Sequence, residues 1–390
     1  MAINLTNAES ALKNYYLDAV SEQLNKHTHP FLSRIKNSTQ NVVGNTVKKL
    51  VLGGVNGGIG AGTEDGSLPR SAGNNYLTFT TPLKNLYGTI EISDKALRAS
   101  QNDSGAIVNL LNYEMESLIK SGNFNLSRML FGDGNGFLCE ATSHNAGVVT
   151  VDSTTNLYEG MVVDFVNSYG FPHQYFIGKT IKHVDRENKK ITIDFTPGDV
   201  AEVQGFYLVT QGSYQNELCG LKAIFDLSKP LYGVERTASS MMKPYVTNCS
   251  MSIMEITKII DEIETRTGNQ PDTIIVSLGL KRMLASMFRI EGYESPIVEI
   301  ENGYKAMTFN GIPIIADRFC EKDTMYILNS KDFSINQLCD WQWLEDDDGR
   351  ILKQVPGKPI YTATLVKYAE LICSNPSGQA KVTGFGEENQ

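Results

Sequence analysis

The sequence lacks the features that would place it in several common functional classes. It has no apolar run of about 18 residues, so no membrane span is predicted. Its first residues, MAINLTNAES, do not show the charged and then apolar layout of a secretory signal. Its formal net charge is −9, and it has no dense cluster of Lys and Arg, which argues against a general nucleic-acid clamp. The charge is compatible with a function near DNA that does not involve tight DNA binding.

Signatures of catalysis and of metal binding are also missing. The sequence contains no GxxxxGK[ST] phosphate loop, no GxSxG elbow and no HExxH helix, and its glycines lack the strand–helix context of a dinucleotide site. The six cysteines include no CxxC pair, which is typical of idle thiols in a reducing cytoplasm. His27 with His29, the segment 133–136 (DGNG) and the acidic turn 345–349 each lack the further ligands of a metal site. We therefore predict no catalytic residue, no metal and no cofactor.

Glycine, in contrast, is abundant in one stretch. Residues 52–73 (LGGVNGGIGAGTEDGSLPRSAG) contain eight glycines and no aromatic residue, and strand-like patterns flank them at 45–52 and 75–92. A loop of this length without structure of its own is uncommon in a compact domain and is usually functional or disordered. Two strands that lead to such a tip predict a projecting hairpin arm. Because the arm has too few apolar residues to cover itself, we infer assembly rather than catalysis.

The remaining chain alternates between helical and strand-like regions. A capping box at Thr6–Glu9 opens an amphipathic helix over 7–25, and a single apolar face predicts a long spine helix over 105–131. Residues 138–217 contain five short alternating segments, which predict a small antiparallel sheet or barrel inserted as its own β-module.

From Leu221 onward the pattern is mixed α/β. A second capping box, Ser252–Glu255, starts a helix that Gly268 ends, and Asn310-Gly311 predicts a hairpin turn. Further strands are predicted at 351–354, 360–373 and 379–385.

Both the order of these elements and several short sequence segments resemble one family. The segments are KNLYGTIEISDKA (84–96), RMLFGDG (128–134), LCGLK (218–222) and FNGIP (309–313). The chain resembles the major capsid protein of tailed bacteriophages, which has the Hong Kong 97-type fold that encapsulins and the herpesvirus capsid floor share. The resemblance spans nearly the whole chain and implies an α+β fold. The implied divisions are an N-terminal arm (1–44), an extended loop (45–92), a peripheral domain (93–137 and 341–390), the inserted β-module (138–217) and an axial domain (218–340).

The resemblance also implies partners and a location. Copies of the chain would form pentamers and hexamers in an icosahedral shell around double-stranded DNA, held without sequence specificity. A separate scaffolding protein and a portal would take part, and no membrane would. The shell would be assembled in the host bacterial cytoplasm and would belong to the virion. Some family members crosslink through a lysine of the extended loop, but residues 52–73 contain no lysine, so we expect no such bond.

Candidate contacts between subunits lie at the arm and near the N-terminus. They are Gly57, Gly58, Gly60, Glu64, Asp65 and Arg70 in the arm, with Tyr15 and Tyr16 on the first helix. The glycines would allow close main-chain packing and a hinge, and the charged residues would make salt-sensitive contacts. Three other functions remain open: an encapsulin-type compartment, a phage tail or baseplate component, and an α/β hydrolase with the arm as its lid.

Overall fold

The computed structural model describes residues 30–95, 106–194, 203–300, 304–345, 349 and 351–387, and all structural statements refer to these. The predicted helix over 7–25, with Tyr15 and Tyr16, and the pair His27 and His29 lie outside them. Two compact units are formed. One unit is Arg128–Ala223, and the other contains the described residues on both sides of it.

The elements are numbered in chain order. The first strands are β1 (Lys36–Ser38), β2 (Val42–Val43), β3 (Thr46–Leu52), β4 (Tyr76–Pro82) and β5 (Lys84–Ser93), followed by helix α1 (Ala106–Met129). Next come β6 (Phe137–Asn145), β7 (Val148–Val151), β8 (Val162–Val166), β9 (Lys179–Asp185), β10 (Lys190–Ile193), β11 (Phe206–Thr210), α2 (Leu221–Phe225) and β12 (Tyr245–Asn248). The chain continues with α3 (Ile253–Thr267), β13 (Thr273–Val276), α4 (Leu278–Ile290), β14 (Ile297–Ile300), β15 (Tyr304–Phe309), β16 (Ile312–Ala316) and β17 (Thr324–Leu328). The last strands are β18 (Phe333–Trp343), β19 (Lys353–Gln354), β20 (Ile360–Cys373) and β21 (Ala380–Thr383).

A seven-stranded sheet carries one hydrophobic core of the molecule. Its strand order is β12-β21-β17-β13-β16-β15-β14. Helices α3 and α4 bury their apolar faces in this core, α3 through four isoleucines at helical spacing. The predicted N-cap and C-cap residues are confirmed: Ser252 Oγ accepts from Glu255 N at 3.1 Å, and Gly268 ends α3 with φ of 71°. The Glu255 carboxylate accepts from Lys258 Nζ at 2.6 Å. The predicted hairpin turn is also confirmed, with positive φ at Asn310 and Gly311.

A five-stranded sheet contains the longest strands. Its order is β1-β18-β20-β19, and β5 pairs with β20 in antiparallel register from Lys84↔Ala369 to Ser93↔Ile360. A Cβ on Gly88 of β5 would lie 2.8 Å from Leu118 Cδ1, so α1 crosses this sheet closely where a strand residue has no side chain. Helix α1 is the long helix predicted over 105–131.

The unit Arg128–Ala223 contains a closed six-stranded barrel in the order β10-β7-β6-β11-β8-β9. The five predicted segments correspond to β7 to β11, and the prediction missed β6. The sequence of β6, FLCEATSHN, does not alternate cleanly because its register with β7 shifts between Ala141 and Ser143. Without β6 the barrel could not close.

The structure differs from the sequence prediction at three further strands. Residues 75–92 form two strands, because Pro82 has no N–H to continue the ladder with β3, and β5 then joins β20. The last strand, β21, was assigned to the peripheral domain (341–390) but lies between β12 and β17, where Ala380 and Val382 are buried in the seven-stranded core. Conversely, β18 was placed with the axial elements up to residue 340, and it pairs with β20 over its length.

Candidate functional site

The arm is a three-stranded sheet, β2-β3-β4, that ends in the glycine-rich tip 53–75. Strands β3 and β4 pair from Thr46↔Pro82 to Leu52↔Tyr76, and Gly53 N donates to Asn75 O at 2.7 Å just beyond the last pair. Successive residues of a strand point to opposite faces, so the arm has an inner face with Lys49 and Phe79 and an outer face with Leu50 and Tyr76.

The inner face is fixed to the rest of its unit by an aromatic contact. Phe79 is fully buried, and its ring centroid lies 5.4 Å from that of Tyr232. The Tyr232 hydroxyl donates to Leu371 O at 3.0 Å and accepts from Cys373 N at 3.1 Å. Thr80 N donates to Tyr232 O at 2.9 Å. The root of the arm is therefore tied to the end of β20 by packing and by hydrogen bonds.

Lys49 adds a polar anchor on the same face. Its Nζ donates to Ser374 Oγ at 2.7 Å and to Ser334 Oγ at 3.2 Å. Burial lowers the pKa of Lys49, while the charges of Cys373 and Asp332 oppose that shift. Burial also raises the pKa of Asp332 to about 6. A partly buried ammonium held by two hydroxyls fixes the position of the arm at its base.

The outer face and the tip, in contrast, expose apolar side chains. Leu50, Leu52 and Tyr76 lie on the outer face, and all three are more than half exposed. At the tip, Val55, Ile59 and Leu68 are 93%, 89% and 89% exposed. Single exposed apolar residues are ordinary, but a group of this size on one projecting element is typical of an interaction surface. We call these six residues the arm patch.

The sequence prediction had not included the arm patch. It selected glycines and charges, and the available signal was the run Leu50-Val51-Leu52, which puts apolar residues on both faces of one strand. A strand with two apolar faces needs cover on both sides.

The predicted contact residues of the tip are surface residues. Glu64, Asp65 and Arg70 are exposed. Gly57, Gly58 and Gly60 face the returning limb of the tip, where a Cβ would lie 3.5 Å from Ala72 Cβ, 3.2 Å from Ala72 N and 3.2 Å from Pro69 Cγ. None of the glycines from 53 to 73 has φ between +20° and +160°. Gly58 and Gly60 are therefore needed for their small size, and none of the tip glycines is needed for a left-handed turn.

Among the described residues, no group of three or more His, Cys, Asp or Glu side chains could hold a metal ion. The Asp133 carboxylate accepts from Asn135 N at 3.0 Å and from Asn135 Nδ2 at 2.9 Å, so it closes a turn after α1. All six cysteines lie in the described ranges, and each is a free thiol. Within those ranges, none of the helices has the length and apolar character needed to cross a membrane.

Comparison with known proteins identifies the fold. No family model matches the sequence, and no curated protein matches it. A chain from the capsid asymmetric unit of cyanophage A-1(L) has a TM-score of 0.55 at 10% identity, over 93% of this chain and 91% of that one. The chain therefore has the fold of a phage capsid protein, which confirms the fold resemblance found in the sequence.

Two further structures are similar at lower scores. A capsid chain of an empty GTA particle has a TM-score of 0.49 at 11% identity, over 91% of this chain and 90% of that one. The holo-SrpI encapsulin complex from Synechococcus elongatus PCC 7942 has a TM-score of 0.45 at 10% identity, over 91% and 87%. Because both scores are below 0.5, the fold assignment rests on the cyanophage chain.

Proposed function

We propose that this chain is a structural major capsid protein whose copies assemble into the icosahedral head shell of a tailed bacteriophage. The observation that carries the proposal is the arm: a capsid-type fold presents a sheet with an anchored inner face and an uncovered apolar outer face and tip. An apolar surface of this kind on a structural fold requires a partner, and in a shell the partner is another copy of the chain.

The anchored root gives the arm a defined direction. Lys49 and Phe79 fix the inner face, so the tip is presented to a neighbour with a smaller loss of conformational entropy than a loose loop would suffer. Fully burying a Leu, Ile or Val side chain contributes about 1.5–3 kcal/mol. Association costs about 4–15 kcal/mol, so it offsets most of what the side chains of one arm contribute, and one arm gives only a weak contact. Repetition around a closed shell turns weak contacts into a stable assembly.

Each of the two larger sheets would form one domain of the capsid protein. The seven-stranded sheet with α3 and α4 would form the axial domain around the five- or six-fold axis. The five-stranded sheet with α1 would form the peripheral domain, and the extended loop would be limited to β3, β4 and the tip, residues 46–82. The barrel of Arg128–Ala223 would be the inserted module. Expected partners are a scaffolding protein, a portal and double-stranded DNA bound without sequence specificity.

The test is electron microscopy and sedimentation of the expressed full chain. Closed shells would support the proposal, whereas a monomer, or filaments and rings, would refute it. The content of purified shells separates a DNA container from a compartment that packages a cargo protein.

A matched pair of variants then tests the role of the arm. The triple change Val55→Ser, Ile59→Ser and Leu68→Ser should abolish or strongly weaken shells while the circular dichroism spectrum stays unchanged, because these side chains are exposed within the chain. The control Ser67→Ala with Ser71→Ala changes exposed residues of the same tip and should assemble normally. Deleting residues 55–70 should also prevent assembly, and normal shells from that deletion would contradict the proposed role.

The charged residues of the tip need a separate experiment. Replacing Glu64 and Asp65 by Gln and Asn keeps their shape and removes two charges. If these residues contact neighbouring copies, the variant should assemble with a weaker dependence on salt than the wild type, because salt screens exposed charge pairs. An unchanged salt dependence would remove Glu64 and Asp65 from the list of contacts.

A further inference from the structure

The barrel presents a second exposed apolar surface, on the loop between β8 and β9. This loop, residues 167–178, has the sequence NSYGFPHQYFIG. Its exposed apolar side chains are Tyr169 (82%), Phe171 (69%), Tyr175 (45%) and Ile177 (52%). The barrel core already contains its own closed set of apolar residues, and none of these four belongs to it. We call the four residues the barrel patch.

Hydrogen bonds hold the first half of the loop in one conformation. The Asn167 side-chain oxygen accepts from Tyr169 N at 3.0 Å and from Phe171 N at 2.9 Å, and Asn167 N donates to Phe171 O at 3.0 Å. Gly170 has φ of 84° and packs against Tyr214, whose Cε1 would lie 2.1 Å from a Cβ at this position. The tight turn therefore requires glycine and projects Tyr169 and Phe171 outward on either side of it.

Buried polar side chains hold the second half. His173 is buried, its ring lies 4.8 Å from those of Phe176 and Phe206, and its Nδ1 accepts from Tyr175 N at 3.2 Å. Asp164 Oδ1 accepts from Gly178 N at 2.7 Å, where the loop returns to β9. The exposed side chains are therefore presented on a supported backbone, and binding would order little that is not ordered already.

The composition of the loop is that of a protein-binding surface. It contains no Asp, Glu, Lys or Arg, although such residues make up 20% of the chain. Depletion of charge and enrichment in Tyr and Phe distinguish the centres of protein interfaces from the rest of a protein surface. The mixture of Tyr with Ser, Gly and Asn also matches that of antibody-type binding loops, where rigid rings give area and small polar residues adapt.

We propose that the barrel patch is a contact between copies of this chain that forms only in the assembled shell. At about 200 Å² for a whole aromatic side chain, the exposed fractions of Tyr169, Phe171 and Tyr175 amount to roughly 400 Å², and half of Ile177 brings the patch to about 500 Å². A stable pair of proteins buries about 800 Å² on each partner. The patch is therefore too small to hold a free dimer, but it suffices where a closed array repeats it. The inference rests on the proposed capsid function.

Site-specific photo-crosslinking in shells tests the contact. The photo-reactive residue p-benzoylphenylalanine replaces Tyr169 in one preparation and Glu187 in another. Glu187 is an exposed residue in the turn at the other end of β9. We expect an adduct of two copies of the chain from position 169 and none from position 187. No chain–chain adduct from position 169 in intact shells, or an adduct with a different protein there, would overturn the inference.

Assembly thresholds give a second measurement that does not need the photo-reactive residue. The double variant Tyr169→Ser with Phe171→Ser should need about tenfold more protein to form shells than the variant Glu187→Ser, with an unchanged circular dichroism spectrum. Equal thresholds would overturn the inference. Wild-type chain that forms no shells would instead refute the proposed function, so the two failures are distinguishable.

Discussion

The ion pair between Arg128 and Glu217 supports a strong prediction about stability. Both side chains are buried, and they meet where the chain enters and leaves the barrel unit. Arg128 Nη1 donates to Glu217 Oε2 at 2.8 Å, and Nη2 donates to Oε1, so the pair is bidentate. Beside it, Leu221 N donates to Leu130 O at 2.7 Å. The two ends of the unit are thus joined by a charged pair and a backbone hydrogen bond.

Removing one member of this pair should strongly destabilise the barrel. Arg128→Met leaves the Glu217 carboxylate buried without its counter-charge, and such a change costs about 3–5 kcal/mol. Opening of the unit should then become about 200- to 5,000-fold more frequent. Glu217→Gln leaves the Arg128 guanidinium buried without a counter-charge and should also destabilise the unit. The double variant Arg128→Met with Glu217→Met replaces the pair by apolar side chains of similar length, and it should recover most of the loss.

Hydrogen exchange followed by mass spectrometry measures this unit by itself. Peptides from β6 to β11 in the unassembled chain should lose protection in each single variant and regain most of it in the double variant. Both tryptophans of the chain, Trp341 and Trp343, lie outside the barrel unit, so their fluorescence reports on the other unit and serves as an internal control. Single variants that lose less than about fivefold in protection, or a double variant that loses as much as the two single losses combined, would refute this account of the pair.

Three other predictions concern buried or small residues. Burial raises the pKa of Asp317 to about 7, so between pH 4 and 7 the folded state holds a proton that the unfolded state has lost, and stability falls as the pH rises. Asp317→Asn should remove this slope and stabilise the chain at pH 8 by about 2–4 kcal/mol, measured by urea unfolding at pH 5 and pH 8. Gly220→Ala would place a Cβ 2.3 Å from Met129 O, and thermal unfolding should show a loss of about 3 kcal/mol or more, against about 1 kcal/mol for the control Gly212→Ala, which has open space and a φ of 69°. Gly54→Ala, with no atom within 4 Å, should leave the unassembled chain unchanged, and shells that fail to form would show that a neighbour packs against this residue.

Features set by a few adjacent residues could be predicted from the sequence. The cap at Ser252, the end of α3 at Gly268 and the hairpin turn at Asn310 each depend on local hydrogen bonds or local φ, and all three were located correctly. The capsid-type fold was recognisable because the order of elements extends along nearly the whole chain.

Strand partners could not be predicted in the same way. The apolar alternation of β21 states that one face is buried, but it does not say in which sheet. Its place between β12 and β17 depends on residues more than 50 positions away in the chain. The arm patch was missed for a related reason. The exposure of Leu50 and Leu52 can be predicted only once it is known that the opposite face of the arm is covered by packing of Phe79 on Tyr232.

The arm patch and the barrel patch share one structural feature, which is polar support beneath their exposed apolar side chains. This shared feature favours a role for both patches in assembly. In each case polar groups support the backbone beneath the exposed side chains. Under the arm patch these are the partly buried Lys49 and its two serine partners, and under the barrel patch they are the buried Asp164 and His173. A chain that merely tolerated exposed apolar residues would have no need to support them in this way. Support of this kind lowers the conformational entropy that is lost when a surface binds its partner. Because a shell repeats the same weak contact in every copy, a small gain in each contact stabilises the whole assembly. The design predicts that loosening the support, with Lys49→Met or His173→Phe, will impair shell formation without removing any exposed contact residue. Light scattering of the assembling protein measures shell formation directly. Normal assembly of both variants would show that assembly does not depend on the polar groups beneath the two patches.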